Sequence, residues 1–392
     1  MTFRPDWVSG VRPSTKSLKI WLPETINHMI VNDFIERPHL DTATRPLTAP
    51  FRSALMVRYL TGHAMTLGSS LTTPPPTLPE AEALHLAEIH FGLSGTLGSL
   101  TSERDLNYRL STPDATWVLK LANPAEPPEV TRFQTLALLH LERTNLPVPR
   151  VIRTLQGEAE VATPHGILRL LSWLDGHPQH LTPRTPAQAA AMGRIAARLT
   201  LGLRGFSHPA ATHVLQWDIK QATALRPLLP FISDALRPLA TDTLDRFDRD
   251  IAPHLATLRA QVVHNDLNPH NVLVDARDPA CITGILDFGD MVETPLICDA
   301  AVTASYQIDP ANPRASLQTF AAAYHSVLPL TRREADLLPD LTATRMLTTL
   351  AIASARAARY PGNAAYILRN VPAAAAGLLA LANTPRIPLE LP

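Results

Sequence analysis

The sequence predicts an α+β chain of two lobes, a small antiparallel sheet lobe with one helix and a larger, mainly helical lobe after it. Three observations predict this. Short strand-like runs cluster between residues 95 and 171, around a single helical stretch. Beyond residue 185 apolar residues recur mostly at helical spacing. Between the two regions, Leu171-Ser172-Trp173-Leu174-Asp175-Gly176 reads as a hinge. Strands first and helices second make an α+β chain, with a cleft between the lobes as the place for a ligand. At 392 residues with 45% apolar content, the chain can build two sizeable cores.

The elements follow in order. Residues 1–64 are rich in Pro, Thr and Arg; Ile20–Ile35 has helical character, and Met65 is a conceivable alternative start. TTPPPTLPE (72–80) is a stiff Pro-rich boundary. Residues 1–79 are therefore expected to be a leader and linker, 80–171 the sheet lobe and 172–392 the helical lobe. Glu80–Phe91 has helical spacing of Leu84, Leu86, Ile89 and Phe91. Gly95–Leu100, Asn107–Ser111 and Thr116–Leu121 read as strands, the last two joined by the turn Thr112-Pro113-Asp114. Glu129–Arg143 is the helix set among the strands, and Val148–Arg153, Glu160–Ala162 and Ile167–Leu171 complete the sheet. Helices are expected at Thr185–Leu203, Gln221–Leu229, Thr241–Leu258 and in four segments beyond residue 297. Val262-Val263, Asn271–Val274 and Ile282–Leu286 interrupt them as strands.

Composition excludes several classes. Basic and acidic residues balance at 35 each, so no polyanionic partner such as nucleic acid is implied. Cys281 and Cys298 stand apart from any Cys/His cluster, which argues against zinc and disulfides and for a cytoplasmic setting. No apolar run approaches the ~20 residues of a membrane span. The expected state is a monomer or homodimer acting on a small molecule.

The chemistry concentrates in one region. His264-Asn265-Asp266 is followed by Asn271 five residues after the Asp, and by Asp287-Phe288-Gly289 sixteen residues after that Asn. Phosphoryl transfer from a nucleoside triphosphate needs a carboxylate for the acceptor's proton, and oxygen ligands for Mg²⁺. Asp266 is the candidate general base, although a loop Asp also caps turns. Asn271 and Asp287 are the candidate Mg²⁺ ligands. His264 fits loop ordering by hydrogen bonding better than a role as base. Lysine occurs only four times, and Lys120 sits in the strand-like Trp117-Val118-Leu119-Lys120-Leu121, where it would reach ATP phosphates. Leu97–Asp105 occupies the phosphate-loop position with Gly98 and the hydroxyls of Ser99, Thr101 and Ser102; an ordinary polar hairpin is the alternative. Glu129 is the best-placed helix acid for Lys120, or merely complements the helix dipole. Asp287-Phe288-Gly289-Asp290 runs almost at once into Thr294-Pro295-Leu296, leaving no platform for a peptide acceptor.

VVHNDLNPHNVLV followed by GILDFGDM resembles the aminoglycoside phosphotransferase family of protein-kinase-like small-molecule kinases. TSERDLNYRL (101–110), WVLKLANPAE (117–126), LQWDIK (215–220) and GILDFGDMVETPLICDAA (284–301) look like its hydroxylysine kinase branch. The resemblance covers roughly residues 80–385. It implies Mg²⁺-dependent transfer from ATP or GTP to the hydroxyl of 5-hydroxylysine or a similar amino alcohol. By motif, Asp266 matches the catalytic Asp, Asn271 and Asp287 the metal ligands, and Lys120 the phosphate lysine. Asn265 departs from the commoner Gly, and Arg132 stands where the helix acid aligns. Asp290, Glu293 and Asp299 are candidates for meeting the acceptor's ammonium group. Arg345 is one for its carboxylate, and Trp217 for lining the pocket; surface charge and packing are the alternatives. An antibiotic-inactivating phosphotransferase and a catalytically inactive nucleotide-binding protein are the competing readings. Many late-helix arginines (Arg332, Arg333, Arg345, Arg356, Arg359) disfavour polycationic aminoglycosides.

Overall fold

The computed structural model describes residues 73, 75–102, 104–385 and 388–391. The expected helix Ile20–Ile35, the possible start at Met65 and nearly all of the leader lie outside the described residues.

Helix α1 (Glu80–Phe91) opens the sheet lobe and stops at Gly92, whose φ of 68° suits a residue without a Cβ. Its buried positions are Ala83, Ala87 and Phe91, spaced by four, with Leu84 and Leu86 packed beside them and Ile89 exposed. The small residues let the helix lie close to the sheet core of Leu110, Leu119, Leu168 and Leu170. Strands β1 (Thr96–Leu100), β2 (Leu106–Ser111), β3 (Thr116–Leu121), β4 (Val151–Ile152), β5 (Val161–Thr163) and β6 (Gly166–Ser172) form one sheet. Its order is β1-β2-β3-β6-β4, with β5 also on β6, and every pairing is antiparallel. Helix α2 (Pro128–Leu141) begins with Pro at its first turn and buries Phe133, Leu138 and Leu141.

After β6 the chain crosses to the helical lobe at Gly176. A Cβ there would collide with the Thr283 hydroxyl and the Leu273 side chain, so only glycine permits this approach. The lobe contains β7 (His177–Pro178), α3 (Pro186–Gly202), α4 (Arg237–Arg246), α5 (Ala252–Leu255), β8 (Ala260–Val263), β9 (Val272–Val274), β10 (Ile282–Ile285) and β11 (Val292–Pro295). It continues with α6 (Leu296–Ser305), α7 (Pro313–His325), α8 (Arg332–Arg359), α9 (Ala364–Ile367) and α10 (Val371–Ala382). Helix α8 starts with a full capping box between Thr331 and Glu334 and packs against α6, α10 and residues 219–231.

Two expected helices take other forms. Ile219–Phe231 is a 3₁₀ run, because Pro227 and Pro230 remove the donors an α-helix needs. The stretch expected as Thr241–Leu258 breaks into α4, a π turn at Phe247–Ile251, and α5. Pro253 forces the restart. The short strands β7 and β11 were not expected, and each contains a proline. Together these elements make a bilobal, protein-kinase-like α+β fold. Among the described residues, no single helix is long and apolar enough to cross a membrane.

Candidate active site

Two small sheets place the chemistry. Strand β8 pairs with β11, and β9 pairs with both β10 and β7. Loop 264–271 therefore leaves one sheet and enters the other, and loop 286–291 makes the return crossing. The Leu286 N–H donates to the Asn271 carbonyl at 2.8 Å, extending the β9–β10 ladder and setting Asn271 beside the residue that precedes Asp287. Asn265 and Asp287 adopt φ of 65° and 58°. Asn and Asp tolerate this left-handed region better than other residues with a Cβ. The preference for Gly or Asn at position 265 is thus conformational.

Three donors converge on Asp266. Asn268 donates from Nδ2 to Oδ2 at 2.9 Å, Asn271 from Nδ2 to the same oxygen at 2.8 Å, and Arg345 lies 3.3 Å from Oδ1. The Asn271 amide nitrogen also donates to the Asp266 carbonyl at 3.0 Å, which leaves its Oδ1 as the atom available to a cation. Burial, reinforced by the Asp290 carboxylate, pushes Asp266 up to about 7 against the pull of Arg345 and Asn268. His264 is fully buried. Its Nδ1 accepts the Asp266 N–H at 3.3 Å, its Nε2 lies 3.1 Å from the Leu286 carbonyl, and Phe288 meets its ring edge-on at 4.8 Å. Desolvation pushes its pKa down, so a neutral ring staples the two loops. Asp299 stands underneath, buried, accepting the Asn265 N–H at 2.7 Å; burial raises it to about 6.

The sheet lobe supplies the cations. Lys120 on β3 bridges Asp105 at 2.6 Å, and Arg104 bridges Asp290 across the lobes at 2.8 Å. Burial opposes ionisation of Asp105, but Lys120 overrides it and holds the carboxyl at about 2. Asp287 is likewise lowered despite burial, by Lys120 and Arg104. Arg104 approaches Gly289 so closely that a Cβ there would lie 2.6 Å from its Nη2. Arg104, Asp105, Lys120, Asp266, Asn271, Asp287 and Asp290 all line one cavity of about 620 Å³.

Of the other residues singled out from sequence, Ser102, Trp217 and Arg345 line the same cavity. Ser99 does not; it is exposed on β1 opposite Tyr108. The pairing expected of Glu129 is corrected. Lys120 pairs with Asp105, while Glu129 is exposed in the first turn of α2, whose N-terminal end points it to solvent. Glu293 is an exposed outward position of β11, with only its carbonyl engaged, by Lys220 at 2.7 Å. Asp299 supports the loop from below rather than facing a ligand. Arg345 is already committed: its Nη1 donates to the Trp217 carbonyl at 2.7 Å, and its guanidinium lies 5.4 Å over the Trp217 ring. Within LQWDIK, buried Asp218 accepts from Thr294 at 2.9 Å, tying that segment to β11. Asp105 and Arg104 escaped notice. The charged triplet Glu103-Arg104-Asp105 in a hydroxyl-rich stretch, ending two residues before Asn107, which pairs with Lys120, was the available signal.

A two-lobed fold with this polar crevice defines a nucleotide-dependent transferase. The chain belongs to the phosphotransferase enzyme family, whose model matches residues 99–338. It is 28% identical to the hydroxylysine kinase of Mus musculus, over 76% of this chain and 88% of that protein. Among solved structures, a microcompartment-associated aminopropanol kinase aligns at a TM-score of 0.60 and 20% identity, covering 75% of this chain and 94% of its own. An amicoumacin kinase in complex with AMP-PNP and Ca²⁺ aligns at 0.57 and 13%, covering 75% and 93%. The protein is a small-molecule kinase, a phosphotransferase with a hydroxyl acceptor and a nucleotide donor.

Proposed function

We propose that this enzyme transfers the terminal phosphoryl group of ATP or GTP to the hydroxyl of a small amino alcohol or amino acid, with 5-hydroxylysine the leading acceptor. The observation that carries the reading is the convergence of Asn268, Asn271 and Arg345 on Asp266, in the cavity that also holds Lys120 and Asp287. The likeness to hydroxylysine kinases supports the acceptor.

Asp266 takes the acceptor proton as the hydroxyl attacks phosphorus. Arg345 and the two amides fix the carboxylate's orientation, and the raised pKa makes it a stronger base than a solvated aspartate. Lys120, oriented by Asp105, draws the phosphates toward the loops, and Ser102 and Thr101 sit where hydroxyls meet phosphate oxygens. The donor set fits magnesium. Asn271 offers one neutral oxygen and Asp287 a carboxylate held ionised, the hard oxygen donors that magnesium takes beside phosphate oxygens. When bound there, Mg²⁺ would neutralise charge on the transferred phosphoryl group.

The test is nucleoside diphosphate release with 5-hydroxylysine, homoserine, choline and kanamycin, each with ATP and GTP. Release that depends on 5-hydroxylysine supports the reading; release only with kanamycin overturns the acceptor assignment. Asp266→Ala is expected to lower kcat by about 10²–10⁴-fold with nucleotide still bound, since that is the usual contribution of a positioned base. A variant with near-normal turnover removes Asp266 from the role.

A further inference from the structure

The transfer chemistry leaves the segment LQWDIK (215–220) without a task, although Trp217 lines the cavity. On one side this segment meets Arg345, which comes from α8. Arg345 Nη1 donates to the Trp217 carbonyl at 2.7 Å, its guanidinium covers the Trp217 ring at 5.4 Å, and its Nη2 reaches Asp266 Oδ1 at 3.3 Å. The Tyr306 phenol also bonds the guanidinium. The carbonyl contact is shorter than the one to Asp266. It is made by backbone, so no rotamer change can relocate the acceptor.

On its other side the segment is anchored to β11. Asp218 has no exposed side-chain surface; its Oδ1 accepts the Thr294 hydroxyl at 2.9 Å and the Lys220 N–H at 3.0 Å. Lys220 turns back to the same strand. Its Nζ donates to the Glu293 carbonyl at 2.7 Å and lies 3.5 Å from Asp218 Oδ2. Strand β11 pairs with β8, Val292 opposite Val263 and Thr294 opposite Gln261, and β8 runs directly into the loop that carries Asp266. Capping the 3₁₀ run Ile219–Phe231 explains the Lys220 N–H bond alone. The two contacts with β11 exceed what a cap requires. They tie the Trp217 carbonyl, one residue away, to the strand pair that feeds the catalytic loop.

We infer that Asp218 and Lys220 are positioning residues for Asp266, a brace that acts through the Trp217 carbonyl and Arg345. Asp266 is placed by the end of β8, and the brace refers the guanidinium that orients it to the same strand pair. Such preorganisation acts in the transition state more than in ground-state binding, so its loss falls on kcat rather than on KM. The assignment rests on the proposed transfer at Asp266 and extends it to what holds the base in place.

The experiment is steady-state kinetics of the full chain as Asp218→Ala, Asp218→Asn and Lys220→Met, each with Arg345 intact and with Arg345→Gln, alongside a crystal structure of Asp218→Ala. Asp218→Ala is expected to lower kcat by about tenfold, with the KM of nucleotide and acceptor within about twofold of wild type. Asp218→Asn keeps an oxygen for the Thr294 hydroxyl and the Lys220 N–H, and should recover to within about threefold. Beside Arg345→Gln the Asp218→Ala loss should shrink below about twofold, because the group it acts through is gone. In the crystal structure Arg345 should lie beyond hydrogen-bond reach of Asp266. If Asp218→Ala does not fold, Lys220→Met carries the same kinetic comparison with a loss of about threefold, since that side chain is partly exposed. The Asn rescue and the crystal structure stand even if Arg345→Gln does not fold. An unchanged kcat, a loss that falls on KM, an Asn variant no better than Ala, full multiplication of the Asp218 and Arg345 losses, or an unmoved Arg345 would each overturn the brace. Arg345 displaced in Asp218→Ala, in a chain that phosphorylates no acceptor, would instead overturn the proposed function and leave the brace standing.

Discussion

Asp105 and Glu129 frame a sharp choice for the group that orients Lys120. The 2.6 Å contact belongs to Asp105, and Lys120 holds that carboxylate ionised far below the ordinary range. Asp105→Asn is therefore expected to raise the nucleotide KM by about 10–100-fold, the scale of losing one partner of a part-buried charged pair. Glu129→Gln, at an exposed helix start, should leave it unchanged. A reversal of the two effects would return the role to α2. Asn265 presents a different balance. It is buried at φ 65°, and neither polar atom of its amide has a hydrogen-bond partner among the described residues. Asn265→Gly removes two desolvated groups and relaxes the backbone, against some entropy of the unfolded chain. A stabilisation of about 1–2 kcal/mol is expected from urea unfolding.

The two crossing loops were the most legible part of the site, and the reason is local. Asp266, Asn271 and Asp287 stand at fixed spacing in the loops that flank short strands, so one window of sequence contains the whole arrangement. Asp105 and Arg104 were hidden because their partners, Lys120 and Asp290, are set by strand register and by lobe apposition. Arg345 was visible as a late-helix arginine, but only the packing of α8 commits it to Asp266 and the Trp217 carbonyl. Prolines explain the misread helices: apolar periodicity continues through Pro227, Pro230 and Pro253, while the hydrogen-bond ladder does not. Helix α6 carries a testable element of its own. Asp299 props loop 264–271 from a buried site, and burial raises its pKa from the ordinary 3.8 to about 6. The folded state then binds more protons than the unfolded chain between those values. Asp299 contributes most stability below the lower value and loses it as pH rises through the upper one. Urea stabilities of wild type minus Asp299→Asn should fall by on the order of 2 kcal/mol from pH 4 to pH 7. A flat difference would mean that the carboxylate is solvated or compensated.

At the scale of the whole molecule, the cavity is a joint product of two lobes, and bound nucleotide should report on both. Lys120 and Arg104 belong to the sheet lobe, Asp287 and Asp290 to the helical one, and the Arg104–Asp290 bridge spans them. A ligand that touches both sides binds only the folded, apposed state and raises its stability by mass action. At a hundred times its Kd that amounts to about 2.7 kcal/mol, or roughly 5 °C in Tm for a chain of this size. If Asn271 and Asp287 hold the metal that bridges to the phosphates, most of this shift depends on Mg²⁺. The expected results are a full shift for wild type with Mg²⁺ and a non-hydrolysable nucleotide, and less than half of it in EDTA. Asp287→Asn should show the EDTA-sized shift even with Mg²⁺ present. The readout requires no turnover, so it separates metal placement from the identity of the acceptor. A variant whose shift matches the wild type at every Mg²⁺ concentration would move the metal off Asp287. The neighbouring Asp290, already bridged to Arg104, would then have to exchange that arginine for the ion.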